Sequence, residues 1–387
     1  MQSADLVVVG AGILGCSLVH AATEEGLSVV WLERHWPQQG ASVQNFGMIM
    51  PDLLASSASE ARMLRTSQQY YQEWGEQYPH LVRKCGALVV ARTELEDQVL
   101  KEYAEIGQRH QASHLSPKTI HNAYPNTVSK DVVGGLLLPN HLGVNAQVLL
   151  PAMVDHLASL PRVSFRANEL VVDARTEMGG VKLKTAKGGV VRGDRVVVCS
   201  GSEVQSLFPG VLAESGLEAV KLNMMEVTPQ PPERQLPFHL MGGWSLRRYP
   251  AFQQCASYSQ LSQEPLPSDV QAGGLHVLMT QPQTKGPWLL GDSHHFYPLQ
   301  GAAADANWRD HKLDQRLLEE AQRMTGAAGF SVQRSWTGWY LRHPRQPWWL
   351  QNVDERTTLV TGLSGRGMTL APGLAQNLLN ELLEAPY

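Results

Sequence analysis

Residues 5–34 read DLVVVGAGILGCSLVHAATEEGLSVVWLER, and the rest of the chain is interpreted from this stretch. LVVV at 6–9 is a short run of β-formers, read as a strand buried on both faces. Gly10, Gly12 and Gly15 follow as G-x-G-x-x-G. The first glycine permits a tight turn, the second a close approach to a pyrophosphate, and the third close packing of helix on strand. A helix from about Leu14 to Glu25 then points its first amides, those of Ile13 and Leu14 among them, at the phosphates. SVVWLE is the next parallel strand and ends at Glu33, 18 residues beyond Gly15, where a ribose-binding acid belongs, with Arg34 beside it. Strand, glycine turn, helix, strand and acid in this order specify a dinucleotide site.

The bulk composition leaves few other classes open. The chain has 387 residues, 43% hydrophobic, enough for two domains around a large core. A net charge of −4 with no basic tract argues against a nucleic-acid partner. Asp5, the three glycines and Glu24-Glu25 interrupt the N-terminal apolar run, which therefore reads neither as a signal peptide nor as a membrane span. Cys16, Cys85, Cys199 and Cys255 lie far apart and form no C-x-x-C pair, so no disulfide framework or zinc site is expected. A reducing, cytoplasmic location fits this cysteine usage. His110 and His114 have helical metal-site spacing but no third ligand, and are expected to be exposed. No metal is expected.

Three further segments identify the dinucleotide. QGASVQNFGMIMP (39–51) follows the second strand, with Gly40, Ala41 and Ser42 small enough for backbone to touch a cofactor. GDRVVVCSGSEVQSLFP (193–209) carries Ser200 and Gly201 after a strand, and RTTLVTGLSGRGMTLAPGLAQNLLNELL (356–383) carries Gly362, Gly365, Arg366, Gly367, Met368 and Thr369 ahead of a final helix. Together these resemble the FAD-dependent amine oxidoreductases: D-amino-acid oxidase, glycine oxidase and sarcosine oxidase. The strings GASVQNFGM, VVVCSGSEVQSLFP, LRRYPAF and LLGDSHHF resemble a subgroup associated with aminophosphonate oxidation. The resemblance implies FAD. It places Leu170 and Val171 at the adenine, Asn45, Phe46, Gly47 and Met48 near the flavin, and the amides of 365–368 at its N1 and C2=O edge. A cysteine that tethers the flavin in sarcosine oxidase-like relatives is missing near Gly338, so non-covalent FAD is expected.

The cofactor segments lie at both ends and in the middle, so the expected fold is α/β. A discontinuous Rossmann-like FAD domain (1–82, 143–215, 336–387) accompanies a mainly antiparallel substrate domain (83–142, 216–335). A helix over about 57–78, a helix in LLPAMVDHLASL, a β-meander turning at Gly179-Gly180 and Gly188-Gly189, short strands in GALVVA, KLNMMEVTP, LHVLMTQP and WLLGDS, and an amphipathic helix in HKLDQRLLEEAQRMTG complete the reading.

Flavin amine oxidation needs no essential catalytic side chain, because the flavin is the electron sink. What varies is the anion anchor. Where glycine oxidase-like relatives have G-L-R-P, this chain reads WTGWYLRHPRQPWW, with Tyr340 in place of the arginine and Arg342 two residues on. The candidate substrate groups are Arg248, Tyr249, His294, His295, Tyr340 and Arg342, with Trp336, Trp339, Trp348 and Trp349 as candidate pocket walls. Only one of His294 and His295 can face the pocket, since neighbours in a strand point to opposite sides. The expected reaction is oxidation of a small aminophosphonate by hydride transfer to flavin N5, with O2 reduced to peroxide. Alternatives are a glycine, sarcosine or D-amino-acid oxidase or dehydrogenase, a flavoprotein acting on modified tRNA, and FAD held only for structure. A homo-oligomer is possible, but no residue pattern marks an interface.

Overall fold

The computed structural model describes residues 3–106, 111–203, 206–299 and 308–384. Its centre is the strand Ala4–Val9, which pairs in parallel with Val29–Glu33 on one side and with Val190–Val198 on the other. Every residue of Val29–Glu33 is buried, as expected of a strand covered on both faces. Val163–Ala167 extends the sheet beyond Val29–Glu33, and Thr357–Thr361 joins it in parallel beside Val190–Val198. The meander forms as read, with one difference. Its last strand and the strand returning to the sheet are one element, Val190–Val198, antiparallel to Gly180–Thr185 in its first half and parallel to Ala4–Val9 in its second. Alternating polar residues in VVRGDRVVV suit the exposed meander, and the VVV that ends it suits the sheet interior.

Helix Ile13–Glu24 packs directly on this sheet. Ile13–Glu24 packs against Gly367–Glu384, and Gly367–Glu384 packs in turn against Ala58–Gln77. The last contact is at backbone distance: a Cβ on Gly373 would lie 2.1 Å from the Met63 carbonyl oxygen. Ser67 Oγ accepts the Gly373 N–H at 2.9 Å, and the Tyr71 hydroxyl donates to the Met368 carbonyl at 2.6 Å. Ala58–Gln77 begins at Ser57, whose Oγ accepts the Glu60 N–H at 3.1 Å; such a cap contributes about 1 kcal/mol.

The second sheet has nine strands and is antiparallel except where His239–Met241 runs parallel to Ala87–Ala91. Its spine is the pair Glu218–Gln230 and Gly329–Arg342, with Val220 opposite Tyr340 and Leu222 opposite Gly338. Helix His311–Thr325, capped by Asp310 and ended by Gly326 at φ 66°, buries Leu313, Leu317, Ala321 and Met324 in the core beneath this sheet. A boundary at 335/336 would cut Gly329–Arg342, which pairs with Glu218–Gln230 along its whole length. Boundaries at 82/83 and 142/143 border or cut a small third sheet of Met48–Ile49, Leu142–Val144 and Val82–Lys84. His114 lies in a strand rather than a helix and is half-buried against Asp97 at 2.7 Å, so the expectation of an exposed helical histidine is corrected; His110 lies outside the described residues. No described helix is long and apolar enough to cross a membrane.

Candidate functional site

A cavity of about 610 Å³ runs from the first glycine turn to the face of the second sheet. At the turn, the three glycines act as their spacing implies. Gly10 has φ 111°, and a Cβ there would lie 2.5 Å from the Cys199 carbonyl oxygen. A Cβ on Gly15 would lie 1.9 Å from the Gly10 carbonyl oxygen, so Gly15 sits behind the cavity as the helix-packing residue. Gly12, Ile13 and Leu14 line the cavity, and the Ile13 N–H donates to Ser42 Oγ at 3.0 Å. Glu33 is 9% exposed, and its carboxylate accepts the Ala11 and His35 N–H groups at 2.7 and 2.9 Å. Arg34 borders the cavity and pairs with Glu203.

The other cofactor segments converge on the same space. Gly40, Ala41, Ser42, Asn45, Phe46 and Met48 line it, as do Leu170, Val171, Ser200 and Gly201. Gly338, Gly362, Gly365, Arg366, Gly367, Met368 and Thr369 form the wall opposite. Gly362 and Gly365 have φ of 69° and 72°, which lets the chain fold back on itself ahead of the last helix. Two expectations are corrected. Gly47 does not line the cavity; at φ 66° it packs against the Val144 carbonyl, 1.9 Å from where its Cβ would be. Asn45 lines the cavity but uses its polar atoms to close its own loop, donating to the Ala41 and Ser42 carbonyls and accepting the Gly47 N–H. Burial pushes the Cys199 thiol up to about 12, with the nearby Glu33 adding, so this cavity-lining cysteine is un-ionised at neutral pH.

The far end is built from side chains. Arg248, Tyr249, His294 and Tyr340 line it, and of the aromatic group Trp339 does as well. Trp336, Trp348 and Trp349 pack in the cores instead. His295 and Arg342 do not reach the cavity. Strand alternation turns His295 away, as expected for one of the pair. Arg342 donates to Glu218 at 2.7 Å and lies 3.8 Å over the Phe296 ring, so it cannot be the anion anchor. Among the described residues Arg34, Arg248 and Arg366 line the cavity, and Arg248 bears on Tyr340 and His294. Burial raises the Tyr340 phenol to about 12 despite the nearby Arg248 guanidinium, so Tyr340 keeps its proton as a donor.

Two groups absent from the sequence candidates complete this end. Asp292 contacts His276 Nε2 at 2.7 Å and His294 Nε2 at 3.5 Å, and all three residues are buried at the cavity wall. The two imidazoles stack, 5.1 Å between centroids. Burial disfavours charge on Asp292, but its contacts with His276 and His294, a hydrogen bond from His276 among them, and the Arg248 guanidinium outweigh it and hold the carboxyl well below the usual range. Burial drives both histidines down, Asp292 opposes it only in part, and Arg248 adds to the shift, so both rings are neutral near pH 7. Asp292 and His294 both lie in the link between the strands Trp288–Gly291 and His295–Pro298, where no strand or helix spacing marks them. His276 had no local signal, because it arrives from a separate segment.

A family model described as FAD dependent oxidoreductase matches residues 5–381. This chain belongs to that family. FAD is its cofactor, and the cavity fits it. Buried Gln38 Oε1 and Glu169 Oε2, on residues that line the cavity, have no hydrogen-bond partner among the described residues, which leaves acceptors for a polar ligand. The glycine cradle leaves room where side chains would intrude. FAD would rest its pyrophosphate at Gly10–Leu14 and Ser42, its ribose at Glu33 and its ring system between Met48 and the 362–369 wall. Among curated proteins, the chain is 27% identical over 212 residues to the tRNA 5-methylaminomethyl-2-thiouridine biosynthesis bifunctional protein MnmC of Chromohalobacter salexigens, covering 53% of this chain and 29% of that protein. It is 24% identical over 242 residues to the bifunctional protein ThiO/ThiG of a Nostoc species, covering 60% and 36%. The matched part is thus about a third of these relatives' length. Among solved structures, glycine oxidase from Geobacillus kaustophilus superposes with a TM-score of 0.75 at 18% identity, covering 100% of this chain and 96% of that one. At that identity the likeness establishes the fold.

Proposed function

We propose that this FAD-dependent oxidoreductase oxidises a small amine that carries an oxyanion, an aminophosphonate in the first instance. The observation that supports the reading is the pairing of groups at the far end of the cavity. Arg248, with the un-ionised phenols of Tyr249 and Tyr340, offers donors to an anion; lining the same cavity, the Asp292 carboxylate and neutral His294 offer acceptors to an amine. FAD held in this cavity would supply a two-electron acceptor for hydride from the carbon next to nitrogen, with O2 as the final acceptor. The protein's part is to orient that carbon, exclude water and present the amine uncharged. Arg248 suits a phosphonate because its planar fork holds two oxygens at once. The resulting imine hydrolyses to a carbonyl compound. We further propose that FAD is bound without a covalent tether, since glycine stands at 338, and that the two large sheets are the cofactor and substrate domains, with Gly329–Arg342 belonging to the second.

The experiment is anaerobic bleaching of the flavin spectrum by aminophosphonates, primary and N-methylated, beside glycine, sarcosine and D-amino acids, followed by peroxide detection in air. Bleaching by the phosphonates at the lowest concentrations supports the proposal. Bleaching only by carboxylate amines replaces the substrate class with that of an amino-acid oxidase. The match to a tRNA-modifying bifunctional protein supports a second reading, action on a modified tRNA base. A net charge of −4 gives little attraction for phosphate backbone, and a gel shift with tRNA at low salt tests it.

A further inference from the structure

We infer that His294 Nε2, positioned by Asp292 and His276, takes a proton from the substrate's ammonium group, so that a neutral amine is presented for oxidation. This rests on the amine-oxidation reading above.

The inference starts from which ring nitrogen carries hydrogen. His294 Nδ1 lies 3.3 Å from the Gly274 carbonyl oxygen, and a carbonyl can only accept. Nδ1 therefore bears the hydrogen, and in the neutral ring Nε2 holds a lone pair. That lone pair faces Asp292 Oδ2 across 3.5 Å. An ionised carboxylate and an imidazole lone pair, both acceptors, converge in a buried wall of the cavity. The arrangement calls for an N–H donor between them. A protonated amine is such a donor, and it alone among the proposed reactants is also a cation.

The other charged and titratable groups facing His294 fit this assignment. His276 stacks on it and contacts the second carboxylate oxygen, with its own Nδ1 3.3 Å from Ser245 Oγ. Arg248 opposes charge on His294 before substrate arrives, and an incoming oxyanion would neutralise that opposition. Tyr340 meets the ring edge-on at 6.3 Å between centroids, and keeps its own proton. When substrate binds, one ammonium N–H bond breaks and its electron pair stays on nitrogen as the amine lone pair. The Nε2–H bond forms, and the imidazolium faces Asp292. No electron is transferred in this step, and the proton later leaves to solvent. Substrate thus arrives in its abundant charged form and becomes oxidisable only in the site.

The test uses His294→Gln in the FAD-loaded enzyme, with anaerobic flavin reduction followed against pH. The expected result is a loss of roughly 100-fold or more at pH 7. That loss should shrink about tenfold per pH unit as the substrate amine approaches its own pKa, near 10 for a simple alkylamine. A deficit of the same size at every pH would show a merely structural role and overturn the inference. A second measurement needs neither turnover nor a folded variant: ¹⁵N histidine spectra of the unaltered protein at pH 7 should show His294 with hydrogen on Nδ1 and a bare Nε2. Hydrogen on Nε2 would overturn it, as would a stoichiometric metal ion whose removal by EDTA abolishes activity. If no amine bleaches the unaltered enzyme, the functional reading fails and this inference with it. If amines bleach it but His294→Gln keeps a parallel pH profile, only the inference fails.

Discussion

At one end of the cavity the wall is main chain; at the other it is side chain. Around Gly10, Gly12 and Gly15, contact depends on what is missing, since a Cβ at Gly10 would lie 2.5 Å from the Cys199 carbonyl oxygen and one at Gly15 1.9 Å from the Gly10 carbonyl oxygen. Around Arg248, Tyr249, His276, Asp292, His294 and Tyr340, contact depends on what is present. The first end can hold a ligand common to many proteins because amides and carbonyls are common to all residues. The second must be chemically particular. The difference predicts that damage to the glycine end removes the cofactor, whereas damage to the side-chain end spares the colour and removes the reaction.

The largest effect is expected from Gly15→Val. Its side chain would drive into the Gly10 carbonyl, 1.9 Å from the Cβ. Overpacking of this kind costs about 1–3 kcal/mol or more, enough to weaken FAD retention by roughly 100-fold. The flavin-to-protein absorbance ratio after gel filtration reads it, and a fully yellow variant would contradict the division of labour.

Next comes a matched pair of arginines. Arg248→Ala should keep its FAD and lower kcat/KM by roughly 10–100-fold, for loss of a charged hydrogen-bond donor worth about 1.5–3 kcal/mol. Arg342→Ala should change kcat/KM less than about threefold, because what it breaks, a part-exposed ion pair with Glu218 worth about 0–1 kcal/mol and a contact with the Phe296 ring, lies outside the cavity lining. Steady-state kinetics on both variants decides; equal losses would undo the placement of the anion end.

Glu33→Gln should weaken FAD by about tenfold, on the order of 1.4 kcal/mol, and leave turnover at saturating FAD unchanged. Calorimetric titration of the apoprotein measures the first and stopped-flow reduction the second.

A separate effect, outside that ranking of site variants, concerns pH and stability. Burial holds His239 down to about 4 and His141 down to about 3, so both stay neutral in the fold. The unfolded chain binds protons at these positions below about pH 6.5 and the folded chain does not. Stability therefore falls as pH drops from about 6.5 toward 4, by up to about 1.4 kcal/mol per unit for each histidine. Thermal melts between pH 7 and 5 should show this slope, and His239→Asn should flatten it.

The same contrast explains how much could be read from the sequence. Backbone binding imposes local spacing, so the first βαβ unit, the 39–51 segment and the 362–369 turn were recognisable as strings. Their convergence followed from the ordinary parallel pairing of Ala4–Val9 with Val190–Val198. The side-chain end comes from Arg248, His276, Asp292 and Tyr340, each on its own segment, and no spacing rule joins them. Arg342 illustrates the cost: it stands two residues from Tyr340 and so can share its face, yet at the strand's end its guanidinium lies on Phe296 and pairs with Glu218. Asn45 was misread for a related reason, since an asparagine in a loop often folds that loop before it touches a ligand.

The helices Ile13–Glu24 and Gly367–Glu384 begin side by side, with a Cβ on Gly367 only 3.8 Å from the Ile13 side chain. Residues more than 340 positions apart in the chain therefore form one grip. Until Gly367–Glu384 has been made, Ile13–Glu24 is half a clasp and cannot close. Flavin loading belongs after that segment has folded, and starving cells of the vitamin should leave behind a loosened polypeptide, more open to proteases at the helix Gly367–Glu384.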